Sequence, residues 1–284
     1  MKKGLLCGII TSEVSGGMYS DETLRVAMSL RPIDDDFMKL MFQDNKPLVE
    51  YVLRIFLDMP DLVVESSETQ YDLTVPGFRS LKLDVLARDS KGRSHNIEVQ
   101  RTDADACPQR ARYHSAAIDT KSLMKNQKFK ELVDNYVVFI TEHDVIGGQK
   151  ASYKIERTII GTDKLFNDGS HIVYVNGSYK GTETSLEKLI HDFSCSKAED
   201  MLCEPMAETT YNYKNTPEGV DRMCKAVEEY GKKQRQEGRQ EGRQEGVLDT
   251  VKKFIKKGLL SNEEIAETLD IPLEEVQHLA AQMG

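Results

Sequence analysis

Two short runs of alternating residues constrain this chain most. In Leu81-Lys82-Leu83-Asp84-Val85-Leu86-Ala87 a period of two puts Leu81, Leu83, Val85 and Ala87 on one face of a strand and Asp84 on the other. In Asn96-Ile97-Glu98-Val99-Gln100 the same rule buries Ile97 and Val99 together and turns Glu98 and Gln100 to one side. Asp89 to Arg93, which contains Gly92, reads as the turn between them. A turn centred on Lys91 sets Asp84 directly opposite Glu98 in an antiparallel pair, with Cβ atoms about 5 Å apart. Like charges directly opposite each other are destabilising, so the pairing makes sense when a divalent cation sits between the carboxylates or one of them holds a proton. Hard oxygen ligands of this kind suit Mg²⁺ or Mn²⁺. The same polar residues also fit the wet face of an ordinary hairpin, and periodicity alone leaves both readings standing.

The flanking patterns build a domain around this hairpin. From Asp34 to Leu57 apolar residues recur at helical spacing, with a break at Asp44-Asn45 and Pro47 suited to the first turn of the second helix. Pro60 predicts that this helix stops by about Asp58. Gln70 to Val75, ahead of Pro76-Gly77, reads as a strand preceding the hairpin. A helix opened by Pro108 runs to about Met124, and Lys128 to Val133 reads as a short amphipathic segment. Tyr136 to Ile140 and His171 to Val175 read as buried strands, the latter before an Asn176-Gly177 turn, and Ser185 to Phe193 as a helix. This order predicts an α/β core with a mixed central sheet flanked by helices.

The 284 residues carry a net charge of −9, which argues against coating nucleic acid by bulk attraction. Any nucleic-acid surface is then local, and the window from Arg101 to Lys130 is the basic candidate, with Arg101, Arg110, Arg112, Lys121, Lys125, Lys128 and Lys130 against Asp103, Asp105 and Asp119. Five scattered cysteines without C-x-x-C pairing argue against a disulfide framework, and six histidines without a close pair give no zinc motif. Met1 to Ile10 reads as a loosely ordered start without a signal-peptide cleavage site, and no stretch approaches the roughly 20 apolar residues of a membrane span. A cytoplasmic protein without a membrane partner is expected.

After Gly231 the character changes. RQEGRQEGRQEG fills positions 235 to 246, its like-with-like rows give no i, i+4 ion pairs, and its glycines lower helix propensity. A solvated, partly helical linker and a helix-pairing device both fit. Leu248 to Leu260 reads as a basic amphipathic helix, and Ser261 with Glu264 as a capped helix start leading into a small helix-turn-helix-like pair. Its acidic second helix argues against reading DNA and leaves oligomerisation or partner binding through this C-terminal region as the expectation. The expected organisation is an N-terminal segment 1–30, a core 31–195, a connector 196–246 and a C-terminal helical segment 247–284.

Asp84, a turn, then Glu98-Val99-Gln100 resembles the D…E-x-Q form of the PD-(D/E)XK motif, and the flanking residues resemble the nuclease family transposases, also called recombination-promoting nucleases. The resemblance extends to Pro32…Asp35-x-x-x-Lys39-x-x-Phe42, to Arg110-x-Arg112-Tyr113, to Val137-Val138-Phe139-Ile140 with Asp144, and to the Glu-Gly-Arg repeats, covering roughly residues 31 to 245 in order. It implies a restriction-endonuclease-like core with a C-terminal helical extension. It also implies a Mg²⁺-dependent DNA endonuclease, with Mn²⁺ an alternative ion, DNA as partner and phosphodiester hydrolysis as the reaction.

Carried over by position, Asp84 and Glu98 bind the metal with the backbone carbonyl of Val99, and Gln100 stands where the superfamily name has Lys. Gln is neutral and positions water by hydrogen bonds, so Arg110 is the expected source of the missing charge. Arg110 and Tyr113, three apart on one helix face, contact the scissile phosphate or else stack to hold helix to sheet. Asp35 is either an accessory acid or an N-cap before Phe37 and Met38, and Asp144 caps a loop. Arg101, Arg110, Arg112, Lys121 and Lys125 are the expected DNA contacts. The departure at Gln100 keeps open a catalytically silent relative that binds DNA or a protein partner in regulation.

Overall fold

The computed structural model describes residues 18–74, 79–258 and 260–283. Met1 to Ile10, Cys7 and the Pro76-Gly77 turn lie outside them. Contacts divide the chain into two units between Val227 and Glu228. Among the described residues, no helix is long and apolar enough to cross a membrane.

The first unit opens with helices α1 (Asp21–Ser29), α2 (Asp35–Phe42) and α3 (Lys46–Leu57). In α2 the residues Phe37, Met38, Met41 and Phe42 repeat at helical spacing and are all buried. Asn45 caps α3 by accepting the Leu48 N–H, and left-handed Asp58 ends it, as Pro60 leads one to expect. Strands β1 (Val64–Leu73), β2 (Leu81–Asp89) and β3 (Ser94–Gln100) follow, then α4 (Pro108–Ser122), β4 (Asn135–Thr141), β5 (Ser152–Ile155), β6 (Ser170–Asn176), α5 (Ser185–Phe193) and α6 (Glu204–Asn215). The long helix α7 (Pro217–Lys257) comes next.

The six strands form one mixed sheet in the order β1-β2-β3-β4-β6-β5. β1, β2 and β3 are antiparallel, β3, β4 and β6 run parallel, and β5 returns antiparallel on β6. One face packs Val85, Ala87, Ile97, Val99, Val138, Ile140 and Val175 under α1, α2, α3, α5 and α6. The other packs Leu73, Leu83, Val137, Phe139 and Tyr174 under Ala111 and Ile118 of α4. Helices on both faces leave β3 buried along almost its whole length.

The turn between β2 and β3 is centred as the sequence predicts. Val85 faces Ile97 and Arg88 faces Ser94, Gly92 takes a φ of +78°, and the Asp89 carboxylate accepts the Lys91 and Arg93 N–H groups. The strict alternation expected along β2 fails. Leu81 and Leu83 pack on the α4 face, whereas Val85 and Ala87 pack on the other. The crossover falls at Asp84, beside Gln70 of β1, whose φ of +55° is left-handed. The change of face and the left-handed residue lie side by side on paired strands, with the β1–β2 register unbroken across them.

Other expectations shift. β1 begins at Val64, earlier than Gln70, and Lys128 to Val133 contains only the single 3₁₀ turn Phe129–Glu131. α1, β5 and α6 were not foreseen. The repeat 235–246 is not partly but wholly helical, inside the 41-residue α7. In the second unit the end of α7 packs Val251 with Ile265 and Ala266 of α8 (Asn262–Leu269) and Val276 of α9 (Leu273–Met283), and Ser261 and Glu264 form the foreseen capping box.

Lys214 of α6 fastens the helical layer. Its buried ammonium donates to the carbonyls of Met28 at 2.8 Å, Leu30 at 2.6 Å and Ser196 at 2.5 Å, and burial pushes its pKa down to about 8. Lys214→Met would leave three carbonyls without this donor. Urea unfolding should show a loss of about 2–4 kcal/mol; wild-type stability would rule out this fastening role.

Candidate active site

Glu98 is fully buried on central strand β3, where a lone carboxylate is costly to hold ionised. The β2–β3 register, continued one step past Val85 and Ile97, sets Asp84 opposite Glu98. Side chains take over the ladder there. The Asp84 N–H donates to Glu98 Oε1 at 3.2 Å, and the Val99 N–H donates to Asp84 Oδ2 at 3.0 Å. Since N–H and C=O of one extended residue point to the same side of a strand, the Val99 carbonyl also faces Asp84. Gln70 Nε2 lies 3.5 Å from Asp84 Oδ1.

Electrostatics single out the pair. Burial first, and the Glu98 carboxylate second, push the Asp84 carboxyl up to about 8. Glu98 Oε2 is buried and accepts no hydrogen bond, with Arg110 Nη2 at 3.5 Å. His114, fully buried on α4, brings Nδ1 to 3.5 Å from Glu98 Oε1 and 3.1 Å from Asn96 Nδ2. Arg110 Nε reaches His114 Nε2 at 3.4 Å, and Arg110 Nη1 donates to the Asp105 carbonyl at 3.2 Å. Thus α4 covers Glu98 from one side of the sheet with Arg110 and His114.

From the other side comes α2. Asp34, not Asp35, occupies its N-cap position, so the capping role weighed for Asp35 does not hold. Asp35 Oδ2 pairs with Lys39, while Oδ1 is out of solvent and without a hydrogen bond. Both charges act on Asp84, Asp35 raising its pKa and Lys39 lowering it. An ion-pair network ties the start of α2 to the sheet. Arg31 bonds Asp34 at 3.1 Å and Glu142 at 3.0 Å, and Arg101 bonds the same two acids at 3.1 Å each.

Gln100 ends β3, half-buried, with the strand parity of Glu98, and its carbonyl accepts the Glu142 N–H. Tyr113 does not stack on Arg110; its hydroxyl donates to the Arg79 carbonyl at 2.9 Å. Arg112, Lys121 and Lys125 are exposed, whereas Arg101 is engaged in the ion pairs above. Asp144 caps its loop, accepting from Gly147, Gln149 and Tyr153. Sequence reasoning gave no role to Lys39, His114 or Gln70. Lys39 stands four after Asp35 and His114 four after Arg110, the spacing of neighbours on a helix face.

The oxygen donors Asp84, Glu98 and the Val99 carbonyl fit a hard divalent cation, and the unbonded Glu98 Oε2 is the observation that supports the fit. Among the described residues, the acid, histidine and cysteine side chains gathered in threes within 4.8 Å are His191, Asp192 and Cys195; Asp35, Asp84 and Glu98 do not form such a group. That first cluster is local to the end of α5. Both Asp192 oxygens already accept N–H groups, from Leu202 and Cys203 at 2.7 Å, and burial pushes the Cys195 thiol up to about 11. It fastens the 195–203 loop.

Asp84 holds its proton more tightly in the folded than in the unfolded chain. The stability this contributes is complete below about pH 4 and is lost as pH rises to about 8. Metal-free protein should therefore weaken toward urea across that window, and Asp84→Asn should flatten the slope. Identical slopes for the two proteins would contradict a raised Asp84.

No curated protein and no solved structure matches the chain. A family model described as PD-(D/E)XK nuclease family transposase matches residues 39–256, a span that holds Asp84, Glu98 and Gln100 and covers more than half of the chain. With its mixed six-stranded sheet flanked by helices, the chain belongs to the PD-(D/E)XK nuclease family transposases.

Proposed function

We propose that this protein is a metal-dependent DNA endonuclease of mobile-element or recombination type, hydrolysing phosphodiester bonds with Mg²⁺ or Mn²⁺ held by Asp84, Glu98 and the Val99 carbonyl. The observation that carries this reading is a carboxylate pair facing across β2 and β3, with Asp84 driven toward its neutral form and one Glu98 oxygen left without a hydrogen bond. Nothing in an ordinary strand pairing calls for two acids there, and a cation between them removes their repulsion.

A bound divalent cation supplies an acidified water and offsets charge growing on the phosphate. The chain's own groups do the rest. The Val99 N–H fixes the Asp84 carboxylate, and His114 and Arg110 lie 3.5 Å from the Glu98 oxygens. Gln100, neutral, orients water through its amide. Arg110 provides the positive charge that Lys would bring, with Lys39 a second cation acting on Asp84.

Gln100 favours one other reading, a catalytically silent member that binds DNA or a protein partner in a regulatory role. Plasmid cleavage separates the two. With Mg²⁺ or Mn²⁺ the wild type should nick or linearise DNA, EDTA should stop it, and Asp84→Ala and Glu98→Ala should each cut on the order of 100-fold more slowly or worse. Equal cutting by all three proteins would remove these residues from the reaction, and DNA binding without cutting by any of them would favour the silent reading.

A further inference from the structure

The loop that follows α4 carries a combination the proposed chemistry does not use. Every residue from Met124 to Glu131 is exposed, and two large apolar side chains stand in solvent among lysines: Met124 is 68% and Phe129 is 86% exposed, flanked by Lys121, Lys125, Lys128 and Lys130. The backbone fixes this display. The Met124 N–H donates to Gln127 Oε1 at 2.6 Å, Asn126 is left-handed with φ +76°, and a 3₁₀ turn over Phe129–Glu131 turns Leu132 partly inward while Phe129 stays out.

Its charge is free to meet a partner. Among the described residues, no ion pair engages Arg112, Lys121, Lys125, Lys128 or Lys130, in contrast to Arg31 and Arg101, which are committed to Asp34 and Glu142. Of the acids at the base of the loop, Asp168 is paired with Arg157, while Asp119, bonded to the neutral Asn135 amide, remains with Glu131 and Asp134, three acids against the five cations Arg112, Lys121, Lys125, Lys128 and Lys130. In a chain of net charge −9 such a surplus is local and points to a polyanion.

The patch is continuous with the candidate active site. α4 begins beside Glu98 with Arg110 and ends at the loop; its exposed stripe, Gln109, Arg112, Ala116 and Thr120, has no acid and small side chains in its second half. Fifteen residues of helix span about 22 Å, the length of about six base pairs.

We propose that this loop is a duplex-DNA wedge: Phe129, with Met124 beside it, enters a base step or the minor groove while the four lysines neutralise phosphates on either side. The inference rests on the reading of DNA as the substrate. Apolar wedges flanked by cations bend duplexes by partial unstacking, so DNA laid along α4 is bent about six base pairs from the acidic pair.

Binding of a 30-base-pair duplex, with Ca²⁺ in place of Mg²⁺, tests it by fluorescence anisotropy and end-to-end energy transfer. Phe129→Ala should weaken binding about tenfold, reduce bending and leave the salt slope unchanged, with Phe129→Trp restoring both. Lys125→Ala/Lys128→Ala should instead lower the slope of log K against log salt by about 2. Wild-type affinity and bending in Phe129→Ala would overturn the wedge, as would a wild type that binds no duplex. A loss confined to anionic phosphatidylglycerol vesicles, with DNA affinity intact, would overturn it in favour of a lipid surface. Because binding is read without cleavage, a wedge that fails beside a cutting-dead Asp84→Ala, and an intact wedge beside an Asp84→Ala that still cuts, are separate results.

Discussion

Two carboxyl groups facing each other across neighbouring strands, one of them fully buried, set the terms for everything around them. At close range and low local dielectric, two negative charges repel strongly, and neither is easily hydrated behind a helical layer. The fold answers in three ways. Backbone N–H groups replace the missing ladder bonds, Arg110 and His114 come from α4, and Asp84 is pushed toward protonation. All three lower the repulsion between the two acids.

The sheet is built to deliver this pair. β3 is central, antiparallel to β2 on one side and parallel to β4 on the other, so it must be covered on both faces. The two covers bring different groups: α4 brings Arg110 and His114, and α2 brings Asp35 and Lys39. The reversal of side-chain parity at Asp84 is where the hairpin departs from plain pleating, and the left-handed Gln70 lies beside it.

Much of this was legible because it depends on local rules. A Gly-containing turn centred on Lys91 fixed the register, and period-two alternation placed Glu98 and Gln100 on one side. The parity reversal was not legible, since strict alternation in the β2 sequence gives no sign of it and the left-handed Gln70 beside it lies on another strand. α6 escaped because its buried face includes Thr210 and Lys214, which blurs the apolar period. The repeat 235–246 misled in the opposite direction: its glycines disfavour a helix locally, but extension of a helix already nucleated at either end is far cheaper than starting one. Of the two readings weighed for Asp35, the cap missed by one residue, the usual spread at a helix start, and that residue separates a cap from an oxygen without a hydrogen bond.

The neutral Gln100 is then less of an anomaly than the motif alone suggests. A lysine at the end of β3 would add charge beside Arg101, itself held by Asp34 and Glu142. Arg110 and Lys39 instead approach the acidic pair from helices on opposite faces of the sheet, each steadied by an acid of its own, Asp105 and Asp35. Positive charge on the covering helices leaves the strand end free to present an amide, which both donates and accepts hydrogen bonds where an ammonium only donates. Under the proposed reading, orienting water and balancing charge are thus assigned to different residues. The strand supplies the geometry and the helices supply the field.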